Sequence, residues 1–297
     1  MALIAASSWR DYFYEMHNYP ELGYTFGNVA PIFKAFGTPE NIGVGDIRMN
    51  WSSGATAAYH STSNWTASIS PASVGYSKTY EFGYLTAQAQ ETIAEKHSTF
   101  ALKNSIDAAT HGLYSGWVTG ILTGTGAAPQ IMGCDTCTGL VWPTALGMVI
   151  NSTGSISQAL SKFNLALSVL PQSGYNVAVC GPKAYANLIT QLAAAGGTSA
   201  MMLGDNNFGH QYLTYLNCFI FPAFEVTETA VVSDVRIFNI GPEGVVPVTD
   251  NGQLFNVDGP KKTVGTVADV YDITLCYQLV YKSPRACALL QNLRHTA

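Results

Sequence analysis

Charged side chains are what this sequence has least of. Its 14 Lys and Arg and 19 Asp and Glu make 11% of 297 residues, against about 25% in an ordinary globular domain. A lone monomer of this size exposes roughly 12,000 Å², more than so few charges can solvate. The surface left over is Ser, Thr, Gly, Asn, Tyr and Ala, which suits permanent burial against identical neighbours better than life as a free monomer. A net charge of −5 with no basic run excludes tight binding of a polynucleotide through its phosphates. No stretch is apolar for long enough to cross a membrane as a helix. The opening MALIAASS lacks a basic n-region and its apolar run breaks at Ser7 and Ser8, so the chain reads as mature from Met1.

The constellations of catalysis are also missing. His17, His60, His97, His111, His210 and His295 are scattered singly. His97 and His111 stand fourteen residues apart on one expected helix and make no ligand pair. The run Gly120 to Gly126 lacks the Lys-Ser/Thr of a nucleotide loop and reads as a helix terminator. Asp205-Asn206-Asn207 has no following acid at the spacing a calcium loop needs. Cys134-Asp135-Thr136-Cys137 has the spacing of a redox pair or half a zinc site, but no second close Cys or His pair exists. Gly133 before it and Thr138-Gly139 after it read as a loop. Its role stays open, and Cys180, Cys218, Cys276 and Cys287 read as reduced core thiols. No cofactor and no metal site is expected, and the chain is read as a non-enzyme.

Apolar residues make up 47% of the chain, with 16 Tyr, 13 Phe and 5 Trp, enough for a large packed core. Residues 1–40 are punctuated by Pro20, Gly23, Gly27, Pro31, Gly37 and Pro39 and read as an extended arm, with at most a short helix near Trp9 to Met16. Its aromatic residues must lie on another surface. Ile47, Met49 and Trp51, then Val74, Tyr76, Tyr80 and Phe82, alternate in the strand period on either side of a Ser, Thr, Ala and Gly stretch. Such a long hairpin is stable only against another surface. Trp9, Tyr12, Phe13, Tyr14, Trp51, Tyr59, Trp65, Ile69 and Tyr76 are therefore the expected inter-subunit contacts.

Residues 84–121 contain no proline and read as one helix with two stripes. Leu85, Ala89, Ile93 and Phe100 form the first; Leu102, Ile106, Ala109, Leu113 and Trp117 form the second. Ser155 to Leu170 is an amphipathic helix, Tyr175 to Cys180 a buried strand, and Lys183 to Ala195 a helix with proline in its first turn. Tyr212 to Phe221 and Ala230 to Ile240 read as strands, with turns at Gly241-Pro242 and Asp250-Asn251-Gly252. Ile273, Leu275, Tyr277, Leu279 and Tyr281 line one face of the last clear strand. The class is α+β.

This order of arm, long hairpin, long helix and mixed domain resembles the major capsid protein of tailed bacteriophages, the Hong Kong 97-type fold. The run from Asn176 through Cys180-Gly181-Pro182-Lys183 to Leu192 looks like the strand, turn and helix of that family's axial domain. The strand Val231 to Ile240 and the ending with Ser283-Pro284-Arg285-Ala286 look like the family's closing elements. The resemblance implies an N-terminal arm at 1–42 and an extended β-hairpin loop at 43–82. It implies a peripheral domain with its spine helix at 83–150, an axial domain at 151–262, and a C-terminal strand at 263–297 returning to the peripheral domain. It implies a virion protein that assembles with itself as hexamers and pentamers into an icosahedral shell around double-stranded DNA, without sequence-specific contact and without a membrane. A portal and a separate scaffolding protein are the implied partners, since 40 residues leave no room for a scaffolding segment; a decoration protein is left open. No lysine stands between Lys34 and Lys78, so covalent crosslinking through the extended loop lacks its usual donor. An encapsulin shell, which shares the fold, is the rival reading.

Overall fold

Strands buried on both faces need cover on both sides, and three strands with such runs, Val177–Cys180, Val235–Ile240 and Cys287–Leu290, lie side by side at the centre of this molecule. A computed structural model of the chain describes residues 31–37, 39–42, 47–53, 73–80, 82, 84–92, 101–127, 130–139, 147–151, 156–194, 202–205, 211–250, 254–262, 268–283 and 285–295. The central strands are β6 (Tyr175–Cys180), β10 (Val232–Ile240) and β15 (Cys287–Arg294). β10 pairs antiparallel with both of the others. Beyond β6 come β9 (Cys218–Pro222), β8 (Gln211–Tyr215) and β7 (Met202–Asp205); beyond β15 comes β5 (Gly147–Asn151). Past the end of β10, β11 (Val245–Thr249) carries β1 (Glu40–Asn41) and β14 (Gln278–Tyr281), completing a ten-stranded sheet.

The pleat assigns alternate residues to two cores. Val177, Val179, Phe238, Cys287 and Leu289 face the larger cluster. Ala178, Cys180, Ile237, Ala288 and Leu290 face the other. Helices α4 (Ala159–Ser168) and α5 (Pro182–Ala194) cover the second face. The first face is covered by α1 (Pro31–Ala35), α2 (Ala101–Thr123) and α3 (Cys134–Gly139). The expected helix after Ser155 opens with a 3-10 turn at Ile156–Gln158, and its Phe163 and Leu167 are buried as the spacing requires. Proline sits at the first position of α5, where its missing N–H costs nothing.

Two smaller sheets complete the fold. β2 (Ile47–Ser53) and β3 (Ser73–Tyr80) pair antiparallel, with Ile47 opposite Tyr80 and Trp51 opposite Tyr76, as the alternation predicts. β4 (Tyr84–Thr92), β13 (Ala268–Cys276) and β12 (Phe255–Lys262) form a three-stranded antiparallel sheet against α2.

Four expectations are corrected here. The helix expected from residue 84 begins at Ala101, because 84–92 is a strand. Leu85, Ala87 and Ala89 point inward while Thr86, Gln88 and Gln90 are outward or exposed, a period of two. Nine ladder positions on β13 override the helix propensity of Ala and Gln. At 23 residues the helix is roughly 35 Å long, and Ala109, Leu113 and Trp117 of its second stripe are buried. The strand expected over Tyr212 to Phe221 is a hairpin: Leu216 and Asn217 have φ of 46° and 59°, the two positive angles of a type I′ turn. The final strand expected over Ile273 to Tyr281 breaks at Tyr277 between β13 and β14, and β15 follows as a further strand. The loop expected around Cys134 and Cys137 is the short helix α3. The turn expected at Asn251-Gly252, the helix near Trp9, and His17, His60, His97 and His210 lie outside the described residues.

Candidate functional site

No side chain of the expected contact set can be placed on a surface. Trp51 and Tyr76 are register partners across β2 and β3. Trp9, Tyr12, Phe13, Tyr14, Tyr59, Trp65 and Ile69 lie outside the described residues. What the geometry defines is the frame from which the arm and hairpin depart.

Residues 31–36 form a buried aromatic anchor. Phe33 of α1 and Phe36 just past its end pack edge-on to Trp117 of α2, with ring centroids at 4.9 and 5.5 Å. Tyr277 meets Trp117 at 5.5 Å and Phe33 at 5.6 Å, and Phe36 reaches Phe238 of β10 at 5.2 Å. Aromatic pairs in this arrangement contribute about 0.5–1.5 kcal/mol each beyond area burial. Two of the aromatics assigned by sequence to a surface-seeking arm thus belong to the chain's own core.

A buried ion pair ties α3 to β10. Arg236 grips Asp135 bidentately, Nε to Oδ1 at 2.7 Å and Nη2 to Oδ2 at 2.8 Å. The guanidinium is only 9% exposed, and Asp234 stands 3.9 Å away as a second, weaker acceptor. Burial works to lower the Arg236 pKa, but the hydrogen bonds and charge of Asp135 outweigh it and hold it raised. Beside this pair lie Cys134 and Cys137, both fully buried. All six cysteines are buried and free. Burial pushes the thiols of Cys180, Cys218 and Cys287 well up, which keeps them protonated and inert. The signal for the Arg236 pair was present, a cation inside the apolar run Val232–Ile240, but nothing in the sequence pointed to Asp135 as its partner.

The outer face of the β4–β13–β12 sheet is a polar ladder. Thr86 and Thr274 hydroxyls are 3.1 Å apart, Gln88 Nε2 donates to Asp272 Oδ1 at 2.8 Å, and Lys261 Nζ donates to Asp258 at 2.6 Å and Asp272 at 2.7 Å. The hydrogen bond from Lys261 holds the Asp272 carboxyl below the usual aspartate range. Such cross-strand pairs stabilise the sheet without offering an unpaired charge to a ligand.

A groove of about 330 Å³ opens between α2 and β4, lined by Tyr84, Leu85, Gly116, Gly120, Ile131 and Tyr277 among others. Its lining contains no carboxylate, imidazole, thiol or amine; its polar side chains are those of Tyr84, Thr119, Thr123, Gln130 and Tyr277. Among the described residues no group of three His, Cys, Asp or Glu is arranged to hold a metal ion, and no helix is long and apolar enough to cross a membrane.

No family model and no curated protein matches the chain. Solved structures do. The SrpI encapsulin of Synechococcus elongatus superposes with a TM-score of 0.63 at 13% identity, over 90% of this chain and 89% of that one. The capsid of the native GTA particle gives 0.59 at 8% identity, over 87% and 89%. A chain of Microbacterium phage Oxtober96 gives 0.58 at 11% identity, over 88% and 90%. Full-length likeness at such low identity is a likeness of backbone path, and the chain therefore has the Hong Kong 97-type fold shared by phage capsids and encapsulin shells.

Proposed function

We propose that this chain is the major capsid protein of a tailed double-stranded DNA phage, assembling as hexamers and pentamers into an icosahedral shell around the genome. The observation that carries the reading is a shell-protein fold along nearly the whole chain joined to a sequence with only 11% charged residues. In this reading residues 1–42 are the arm, 43–82 the extended loop, 83–150 the peripheral domain, 151–262 the axial domain and 263–297 the closing segment. The expected contacts from Trp9 to Tyr76 order on assembly, so affinity accumulates from many modest interfaces. The protein works in the virion with a portal and a separate scaffolding protein, and it contains the DNA behind a weakly acidic wall rather than gripping it.

A second reading is favoured by the SrpI likeness, which has the higher TM-score among the three structures above: an encapsulin-type shell holding a protein cargo. Electron microscopy and sedimentation of native material test both. Closed particles with nuclease-protected double-stranded DNA support the capsid; closed particles filled with a second protein support the encapsulin. A monodisperse single subunit at high concentration in every buffer refutes both. Deleting Ser52 to Asn64 abolishes closed particles if the loop overlaps a neighbour, and normal yield from the deletion refutes that role.

A further inference from the structure

Phe224 is 92% exposed, more than any other large apolar side chain among the described residues, and its loop is not slack. The flanking Ala223 and Val226 are buried, and Ala223 N donates to Cys180 O at 2.8 Å. Four residues on, the Glu228 carboxylate accepts from the Lys183 and Ala184 amides at the start of α5, at 3.1 and 3.2 Å. Thr229 turns the chain back, accepting from Val232 N at 2.9 Å. The ring is therefore held out into solvent by a rigid frame, with Glu225 beside it and in no ion pair among the described residues. A preorganised phenyl ring loses little entropy on docking, and burying it contributes as much as any single apolar side chain can.

The matching surface is on α4. Phe163, Ala166 and Leu167 face the core, whereas Leu165 on the opposite face is 48% exposed. Lys162 precedes it by three residues and shares its side of the helix. The two patches stand over different parts of the sheet. Phe224 follows β9 where Cys180 pairs with Val235, and α4 runs out toward the end where Tyr175 pairs with Ile240. They also favour opposite halves, since α4 lies over β15 and β9 is on the far side of β10. One subunit cannot bring them together. Two different, complementary patches on one chain make a head-to-tail contact, which closes into a ring where the rotation between successive copies divides a full turn and otherwise runs on as a filament.

Resting on the shell reading, we infer that Phe224 of one copy docks on the Leu165 face of α4 of the next, with Glu225 opposite Lys162. This is the contact that closes each ring of subunits. The test is site-directed crosslinking of assembled protein with a short bismaleimide; the six native thiols are buried. The Phe224→Cys, Leu165→Cys double variant gives a ladder of linked subunits on a denaturing gel, and each single variant stays at subunit mass. In a separate pair, Glu225→Lys lowers closed-particle yield on the order of tenfold by setting like charges against each other, and adding Lys162→Glu restores it. Unmodified protein is sedimented in parallel. If it forms particles while the double variant gives no ladder, or if Phe224→Cys alone gives dimers, the pairing is wrong and the shell reading stands. If unmodified protein forms no particles, both fall.

Discussion

Replacing Asp135 by Ala tests whether the α3–β10 latch is a core interaction or an ornament. The change strands Arg236, whose side chain is 9% exposed, without its bidentate acceptor. Breaking a buried ion pair costs about 3–5 kcal/mol, because the remaining charge is left desolvated. Two features reduce that here. Asp135 itself is 32% exposed, so water screens part of the pair, and Asp234 at 3.9 Å offers partial replacement. The expected loss is about 2–3 kcal/mol, which accelerates amide exchange in Cys134–Gly139 and Val232–Ile240 roughly 30- to 150-fold by the relation of about 1.4 kcal/mol per decade. Hydrogen exchange read by mass spectrometry suits the assay because it reports local opening whether the protein is free or assembled. The double change Asp135→Leu with Arg236→Met fills the same space without charge and should return protection to within about fivefold of the parent. Exchange within about threefold of the parent in Asp135→Ala, or a double variant less protected than the single, refutes the reasoning.

Four further outcomes are expected. Glu228→Ala removes the carboxylate that caps α5 and costs about 1 kcal/mol, seen as faster exchange of the Lys183 and Ala184 amides. A methyl group on Gly181 would collide with the same carboxylate, so Gly181→Ala is more damaging in the parent than in Glu228→Ala. Leu216→Asn relieves a left-handed leucine in the β8–β9 turn and stabilises by about 1 kcal/mol in thermal unfolding. Asp272 titrates below its ordinary value because Lys261 binds its charged form. Its contribution is therefore complete above about pH 4 and is lost as the pH falls through the depressed value. Lys261→Ala flattens that part of the stability–pH curve, and an unchanged curve removes the assignment.

How much was legible in the sequence differs element by element. Tyr175–Cys180 and α5 were readable almost to the residue, because a short apolar run closed by Gly181-Pro182 admits one interpretation. The β2–β3 pairing was readable from strict alternation. Residues 84–92 were not, since Leu85 and Ala89 satisfy both a two-residue and a near-four-residue period and only β13 decides between them. The Leu216-Asn217 turn was hidden because leucine is not a residue chosen for a left-handed angle. Of the expected contact residues none can be weighed on its surface, whereas Phe224 was invisible beforehand: exposure is a property of the folded surface, and a phenylalanine beside an apolar strand reads as core.

Composition alone determined that this chain is short of solvating charge, because counts do not depend on folding. Local patterning determined the strands and helices whose neighbours in sequence are also their constraints. Only the tertiary structure decided that Phe33 and Phe36 lock onto Trp117, that Arg236 finds Asp135 101 residues away, and that Phe224 and Leu165 are left exposed. Those pairings are set by which faces of distant segments meet, and a linear pattern records the face of each segment without recording what it meets.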